Sequence, residues 1–217
     1  MGEKLLRLGT TRRIPLGNQL IRQGERESDI FLLTAAGSTG SACVKVSVTS
    51  ADGASVLLAI RMRGDVVGEG AGFRFEGTRG ATVTACSDIR VQSITRERFD
   101  DFLQEHAEAS LALCALLTER QDFANRRRLD FAAYNVQIRL ARLIHELALT
   151  YGIRSGSGGA KLDFELSQEE LGKLIGAKPD SVNKALGTLR AEGLIQTRYL
   201  GVSVPDLATL RRASELE

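Results

Sequence analysis

Cysteine and histidine are scarce in this chain, and both are widely spread. Its 217 residues include three cysteines, at 43, 86 and 114, and two histidines, His106 and His145. Such cysteines make no disulfide framework, and an iron–sulfur sensor needs about four cysteines close together. Both histidines lie in helical sequence, where we expect them on a helix surface, so the clustered ligands of a metal-dependent cupin enzyme are missing. The composition favours a non-enzymatic protein of a reducing cytoplasm. Cys114 lies in an apolar helical stretch, so we expect it in the hydrophobic core.

Long apolar runs and an excess of one charge are also lacking. The uncharged stretch 109–118 has ten residues, whereas about 20 cross a bilayer, and residues 1–7 lack the apolar segment of a secretory signal. We therefore expect no membrane partner. Lys and Arg number 29 against 27 Asp and Glu, so net charge indicates no class of partner.

Glycine is missing from residues 81–150, although the chain has 22 glycines, and proline occurs only at 15, 179 and 205. Because glycine and proline mark turns, this distribution predicts a turn-rich first part, a long helical middle and a second punctuated part. We place the boundaries at 1–106, 107–134 and 135–217.

The first part has the pattern of antiparallel strands. Hydrophobic and polar residues alternate over 44–48, and Asp52-Gly53 separates this run from the apolar residues 56–60, which predicts a hairpin. Four more short apolar runs flank this hairpin: 14–21 and 29–33 before it, and 81–85 and 89–91 after it. Many short strands at close spacing are typical of an antiparallel sandwich or barrel. The stretch 34–42 is expected to be an irregular loop of unassigned role.

The middle part predicts two helices, over 107–133 and 135–150, with Asn135 as the N-cap of the second. Apolar residues of the first helix recur close to heptad spacing: Leu113, Leu117, Ala124 and Phe131. This pattern favours a dimer seam, although the three arginines 126–128 interrupt it. The alternative, that the helix packs on the β domain, stays open.

The third part predicts a helix-turn-helix. Ser167 and Glu170 fit a capping box, Gly176 can end that helix in the left-handed conformation, and Pro179 suits the first turn of the next helix, which Gly193 ends. Short helices joined by so tight a turn are typical of DNA-binding domains.

Two short strands after the second helix, 195–198 and 202–204, predict a small β wing. Residues 160–217 carry 8 Lys and Arg against 9 Asp and Glu, whereas DNA-binding modules are usually more basic. A protein-interaction module therefore stays open as the alternative. Lys184 and Arg190, both expected to be exposed, favour DNA.

A β-roll, a long helix and a winged helix-turn-helix in this order resemble the cyclic-AMP receptor protein/FNR family of transcription regulators. The resemblance spans about Arg13 to Leu210 and is most specific at 64–70, 79–81 and 166–195. It implies an α+β fold: an N-terminal antiparallel β-roll of the cyclic-nucleotide-binding, double-stranded β-helix type, a dimerisation helix and a C-terminal winged helix-turn-helix. It also implies a cytoplasmic homodimer that binds double-stranded DNA, with RNA polymerase as a further partner.

The resemblance also implies an effector pocket in the β-roll. Glu69 matches the carboxylate that binds a ribose hydroxyl, and Arg79 matches the arginine that pairs with a cyclic phosphate. The implied pocket residues are Gly68, Glu69, Gly70, Arg79, Gly80, Ala81, Ala124 and Asn125. A guanidinium suits this role because it is a permanently charged, planar donor. We expect Arg79 at the pocket mouth, where its replacement leaves the fold intact; a surface Glu–Arg pair is the alternative.

Some pocket residues depart from the family pattern. Gly80 stands where cyclic-AMP-responsive members have Ser or Thr, and Ala124-Asn125 stands where they have Thr-Ser. The effector stays open between cyclic AMP, another cyclic nucleotide, another small anion and an empty, vestigial pocket.

The implied DNA contacts lie on the helix-turn-helix. Base contacts fall to Asp180, Asn183 and Lys184, and phosphate contacts to Ser167, Gln168 and Lys178. Pro179-Asp180 replaces the family's Arg-Glu, so a guanine-reading guanidinium is missing at 179. The expected switch is a reorientation at the hinge Tyr134-Asn135 when ligand bridges the roll and the dimer helices.

Overall fold

The predicted strands of the first part form two antiparallel sheets. The computed structural model describes residues 2–34, 42–70, 77–156, 158–162, 164, 166–198 and 201–215. One sheet has the order β1 (Thr10–Ile14), β8 (Ile89–Ile94), β3 (Ile30–Thr34), β6 (Val66–Val67). The other has the order β2 (Gln19–Ile21), β7 (Thr82–Ala85), β4 (Cys43–Thr49), β5 (Ser55–Met62).

The hairpin predicted around Asp52-Gly53 is confirmed. Strands β4 and β5 pair antiparallel, and Gly53 adopts a φ of 86°, which suits glycine. The run 14–21 proved to be two strands, β1 and β2, in different sheets. Of the loop predicted at 34–42, Thr34 ends β3 and residues 35–41 lie outside the described residues.

The inner faces of the two sheets share one hydrophobic core. Its buried members are Ile14, Leu20, Ile21, Phe31, Leu33, Ala42, Val44, Val67, Val83, Ala85, Ile89 and Val91. Full burial of such aliphatic and aromatic side chains stabilises the fold by about 1.5–3 kcal/mol each. The antiparallel sandwich or barrel predicted from the strand spacing is thus confirmed as a β-roll of two sheets.

Three helices accompany the roll: α1 (Gly2–Leu8), α2 (Arg96–Glu105) and α3 (Ala107–Ala133). A second cluster joins Ile30, Ile94 and Phe99, and Leu113 of α3 packs against it. Leu113, one of the four residues predicted for the dimer seam, therefore packs on the roll within this chain, and the seam itself stays a prediction. Cys114, expected in the core, is exposed.

The chain divides into two compact units within α3, residues Met1–Gln121 and Asp122–Glu217. The second unit contains the rest of α3, then α4 (Val136–Tyr151), α5 (Gln168–Ile175), α6 (Pro179–Ala191) and α7 (Leu207–Ala213). The sequence boundaries proposed at 106 and 134 stay predictions.

Helix α4 begins as predicted. Asn135 is its N-cap, and the Asn135 side chain accepts a hydrogen bond from the backbone N–H of Ile138. The helix contacts α5, α6 and α7. His145 of α4 is buried, which corrects the expectation of a surface histidine.

A small sheet completes the second unit, with the order β11 (Gln196–Arg198), β12 (Gly201–Val204), β10 (Ala160–Lys161), β9 (Ile153–Arg154). Strands β11 and β12 pair antiparallel, which confirms the predicted wing. In the part of the chain that the structure describes, no helix is long and apolar enough to span a bilayer.

Candidate effector pocket and DNA-binding surface

A cavity of about 220 Å³ opens in the β-roll. It is lined by Ile21, Val46, Leu58, Arg61, Val67, Gly68, Glu69, Gly70, Arg79, Gly80, Ala81, Val83 and Arg120. Six implied pocket residues, 68–70 and 79–81, therefore lie together although about ten residues separate the two segments. Arg61 and Arg120 were not anticipated from the sequence. The lining combines an apolar wall with three guanidinium groups and one carboxylate, which suits an organic anion.

Arg79 is buried to 3% exposure. Its Nη1 donates to the carbonyl of Gly68 at 2.9 Å and its Nη2 donates to the carbonyl of Asp29 at 2.6 Å. The guanidinium also lies over the Phe31 ring, 5.9 Å from the centroid. The expectation of a residue at the pocket mouth was wrong, because these contacts hold Arg79 inside the roll.

The electrostatic surroundings of Arg79 act in two directions. Burial lowers its pKa, while the charges of Glu27, Asp29, Glu25 and Glu69 act to raise it. Since the ordinary pKa of arginine lies far above neutral pH, the guanidinium stays charged there. The site therefore presents a permanent, positioned positive charge.

Gly68 is needed where Arg79 passes the chain. It adopts a φ of +91°, and a Cβ there would lie 2.8 Å from Arg79 Nη1 and 2.8 Å from the Asp29 carbonyl oxygen. Any side chain at position 68 would displace backbone or the guanidinium. This glycine therefore lets the loop and Arg79 approach each other closely.

Glu69 is bound by Arg120, which lies on α3 in the same unit. Arg120 Nη1 donates to Glu69 Oε1 at 2.5 Å and Nη2 donates to the Val66 carbonyl at 2.7 Å. Arg120 Nη2 also lies 3.9 Å from Asp65 Oδ1. The alternative of a Glu69–Arg79 surface pair is wrong, since both side chains are largely buried and have other partners. Nothing in the local sequence of α3 marks Arg120 as the partner of Glu69.

Ala124 and Asn125 do not line this cavity. Both are exposed on α3 in the second unit, and Asn125 Oδ1 accepts a hydrogen bond from Arg128 Nη1 at 3.3 Å. Their role at an effector stays a prediction.

The helix-turn-helix has the local geometry predicted for it. Ser167 and Glu170 form both hydrogen bonds of a capping box, and Gly176 adopts the left-handed conformation with φ 60°. Pro179 begins α6. A Cβ at Gly172 would lie 2.4 Å from the Ala177 carbonyl oxygen, so the small residue permits the close approach of helix and turn.

The implied DNA contacts share an exposed surface. All seven are exposed: Ser167, Gln168, Lys178, Pro179, Asp180, Asn183 and Lys184. Gln168 Nε2 donates to Asn183 Oδ1 at 3.2 Å, which joins the two helices on that surface. Their apolar neighbours Val182 and Leu186 are buried on the opposite face of α6. Arg190 instead hydrogen-bonds Thr197 of the wing.

Comparison with known proteins gives two family matches. The cyclic nucleotide-binding domain matches residues 11–106, and the Crp-like helix-turn-helix domain matches residues 138–213. The chain is 28% identical over 198 residues to the CRP-like cAMP-activated global transcriptional regulator of Mycobacterium tuberculosis (strain ATCC 25618 / H37Rv), covering 91% of this chain and 85% of the relative.

Solved structures share the fold. FixK2 from Bradyrhizobium japonicum matches with a TM-score of 0.76 and 17% identity, over 94% of this chain and 96% of FixK2. The c-di-GMP responsive global regulator CLP of Xanthomonas campestris matches with a TM-score of 0.73 and 22% identity, over 93% of this chain and 96% of CLP.

Proposed function

We propose that this chain, which belongs to the Crp/Fnr family of transcription regulators, binds DNA as a homodimer under the control of a small anionic effector in its β-roll. One observation carries the effector role: a buried guanidinium, that of Arg79, lines a cavity and is held there by two backbone carbonyls. A guanidinium has five N–H donors, so two such bonds leave donors for a phosphate. The site is positioned before any ligand arrives.

Glu69 and Arg120 give this pocket a connection to α3. A ligand hydroxyl that donates to Glu69 competes with Arg120, which now holds that carboxylate at 2.5 Å. Because Arg120 lies on α3, occupancy of the pocket alters the attachment of that helix to the roll. Such coupling between two sites typically amounts to about 1–3 kcal/mol. We expect the hinge at Tyr134-Asn135 to transmit it to the recognition helices.

A cyclic nucleotide is the effector class that we favour. The Mycobacterium relative is named as cAMP-activated, and Arg79 and Glu69 suit a cyclic phosphate and a ribose hydroxyl. Gly80 supplies no hydroxyl to the phosphate, and Ala124 makes no hydrogen bond to a base through its side chain. We therefore propose cyclic AMP or another cyclic nucleotide, with the base read differently.

The exposed helix-turn-helix surface is the proposed DNA interface. Lys184, Asn183 and Asp180 would reach base edges. Phosphate contacts would come from Ser167, Gln168 and Lys178. The family resemblance adds RNA polymerase as a partner of the DNA-bound dimer, and the cytoplasm as its location.

Calorimetric titration with cyclic AMP and cyclic GMP, combined with selection of bound sequences from random DNA, tests this proposal. We expect one nucleotide to bind, Glu69→Gln and Arg79→Lys each to weaken it, and the nucleotide to change DNA affinity. Arg63→Gln, at an exposed arginine outside the cavity, is the matched control. Selected DNA without half-site symmetry would contradict the dimer, and no nucleotide binding would contradict the effector role.

An effector-independent regulator is the second candidate. The Glu69–Arg120 ion pair favours it, since this pair joins the pocket loop to α3 with no ligand between them. In that case DNA affinity would be equal with and without nucleotide, and Arg120→Ala would lower it.

A further inference from the structure

Arg61 is an additional positive charge in the cavity. It lies on β5 opposite Val44 of β4, which is itself opposite Ala85 of β7. Residues directly opposite each other point to the same side of a sheet, and Val44 and Ala85 belong to the inner core. Arg61 is therefore an inward-facing arginine of the roll, and it lines the cavity.

The Arg61 guanidinium has no carboxylate partner within 4 Å among the described residues. Its one hydrogen bond there runs from Nη1 to the carbonyl of Ile60, at 2.9 Å. Arg61 is half-buried beside apolar wall residues such as Val46 and Val83, where a negative charge on a ligand would form a charge-assisted hydrogen bond with it. Within the described part of the chain, Arg61 thus lacks a counter-charge like the one that Arg120 finds in Glu69.

The charges of the cavity lining do not balance. Three arginines, at 61, 79 and 120, face one carboxylate, that of Glu69. A ligand with a single negative charge would satisfy Arg79 and leave Arg61 without a partner.

The two arginines reach the cavity from different ends. Arg61 is level with Ala85 through the strand pairing, whereas Arg79 lies six residues before Ala85 in the chain. Strand β5, which holds Arg61, and strand β7, which follows Arg79, lie on either side of β4, so their backbones are about 10 Å apart. Arg61 and Arg79 thus enter the cavity from separate segments, which suits two separate anionic groups.

We propose that the effector carries two separate anionic groups, one bound by Arg79 and the other by Arg61, and is therefore a nucleotide with two phosphates. The apolar wall, which includes Ile21, Leu58 and Val67, would cover its organic part. This inference rests on the proposed effector role of the cavity and narrows the ligand class.

Calorimetric titration of the full chain tests it with three adenine probes. Cyclic AMP offers one phosphodiester, cyclic di-AMP two, and adenosine 3′,5′-bisphosphate two phosphate groups on one nucleoside. We expect at least one two-phosphate probe to bind 10-fold or more tighter than cyclic AMP, the minimum for one added charge-assisted contact. Arg61→Met should remove this advantage, Arg61→Lys should retain part of it, and Arg63→Met should leave it unchanged.

The outcomes separate the two proposals. If cyclic AMP binds as tightly as both other probes, or if their advantage survives in a folded Arg61→Met variant, the two-phosphate effector is wrong. Should cyclic AMP affinity in that case still fall in Arg79→Lys, the effector role of the cavity stands. Thermal melts of each variant distinguish a lost contact from a lost fold, and binding of none of the probes overturns both proposals.

Discussion

Arg79 serves both the fold and the proposed site. The side chain that offers a charge to the cavity also donates to two carbonyls, those of Gly68 and Asp29, that belong to separate segments. The guanidinium therefore joins those two segments. Its loss would leave two buried carbonyls without a hydrogen-bond donor, which is costly. A ligand-binding residue of this kind cannot be removed without an effect on stability.

We predict that Arg79→Leu lowers the free energy of unfolding by about 2–3 kcal/mol, since both carbonyls lose their charged donor. Urea unfolding followed by circular dichroism measures this change. The matched control Arg63→Leu, at an exposed arginine, should stay within about 0.5 kcal/mol of the parent. Equal stabilities of the two variants would contradict the structural role.

At the scale of elements, α3 makes different contacts along its length. Leu113 packs against the roll, and the Phe131 ring lies beside Gly176 in the helix-turn-helix. Near Phe131, Arg127 donates to the Leu174 carbonyl at the end of α5. Leu113 and Phe131, two of the four residues predicted for a dimer seam, therefore have neighbours within the chain, and the seam stays a prediction. Leu111 and Leu129, which are not among those four, are 72% and 58% exposed.

Two glycines of the helix-turn-helix should respond in opposite directions to alanine. Gly176→Ala should destabilise the protein by about 1–2 kcal/mol, because an L-residue resists the left-handed conformation and its Cβ would lie 3.3 Å from the Phe131 ring. Gly187→Ala, inside α6, meets nothing closer than 3.9 Å and should stabilise by about 0.5–1 kcal/mol. Thermal melts of both variants measure the direction of each change in stability. A lower melting temperature in both variants would contradict the predicted stabilisation by Gly187→Ala.

His145 should make stability depend on pH. Burial lowers its pKa below 6.5, helped by the positive charges of Arg211 and Arg154. The unfolded chain then takes up this proton at a higher pH than the folded chain does. The contribution is complete above about pH 6.5 and falls as the pH drops towards the lowered pKa.

The slope from this single group is at most about 1.4 kcal/mol per pH unit. Denaturant unfolding between pH 7 and 5.5 should show a smaller loss of stability in His145→Gln than in the parent. An identical pH dependence of stability in both proteins would show that His145 does not contribute to it.

At the scale of the whole molecule, the proposed effector site and the proposed DNA-binding surface lie in different units. The cavity lies in the first unit, and the exposed helix-turn-helix surface lies in the second. The helix α3 contributes to both. A homodimer of such chains would present two recognition helices to DNA.

We predict that the dimer selects a pseudo-palindromic site with half-site centres about 34 Å apart, one turn of DNA. Lys184→Ala should weaken specific binding by roughly 1–3 kcal/mol and relax base preference at one position per half-site, if its ammonium reads a base edge. Lys4→Ala, on α1 of the first unit, is the control. Gel-shift titration on selected and scrambled sites measures both; unchanged specificity in Lys184→Ala would exclude that contact.

Local features of this protein were determined by the sequence alone. The Ser167–Glu170 capping box, the Asn135 N-cap and the glycine turns at 53 and 176 follow from residues within four positions of each other. The alternation in the strands and the spacing of the helix-turn-helix also involve residues close together in the sequence. The order of elements and the family resemblance could therefore be predicted from local sequence.

The tertiary structure alone decided which distant side chains meet. Arg120 reaches Glu69 across 51 positions, and Arg79 reaches Asp29 across 50. Arg61 faces inward because of its register with Val44. A charged side chain in a local sequence window looks the same whether it is solvated or buried, since its partners come from other segments. The burial of Arg79 and the pairing of Arg120 with Glu69 therefore follow only from the packing of the roll and α3.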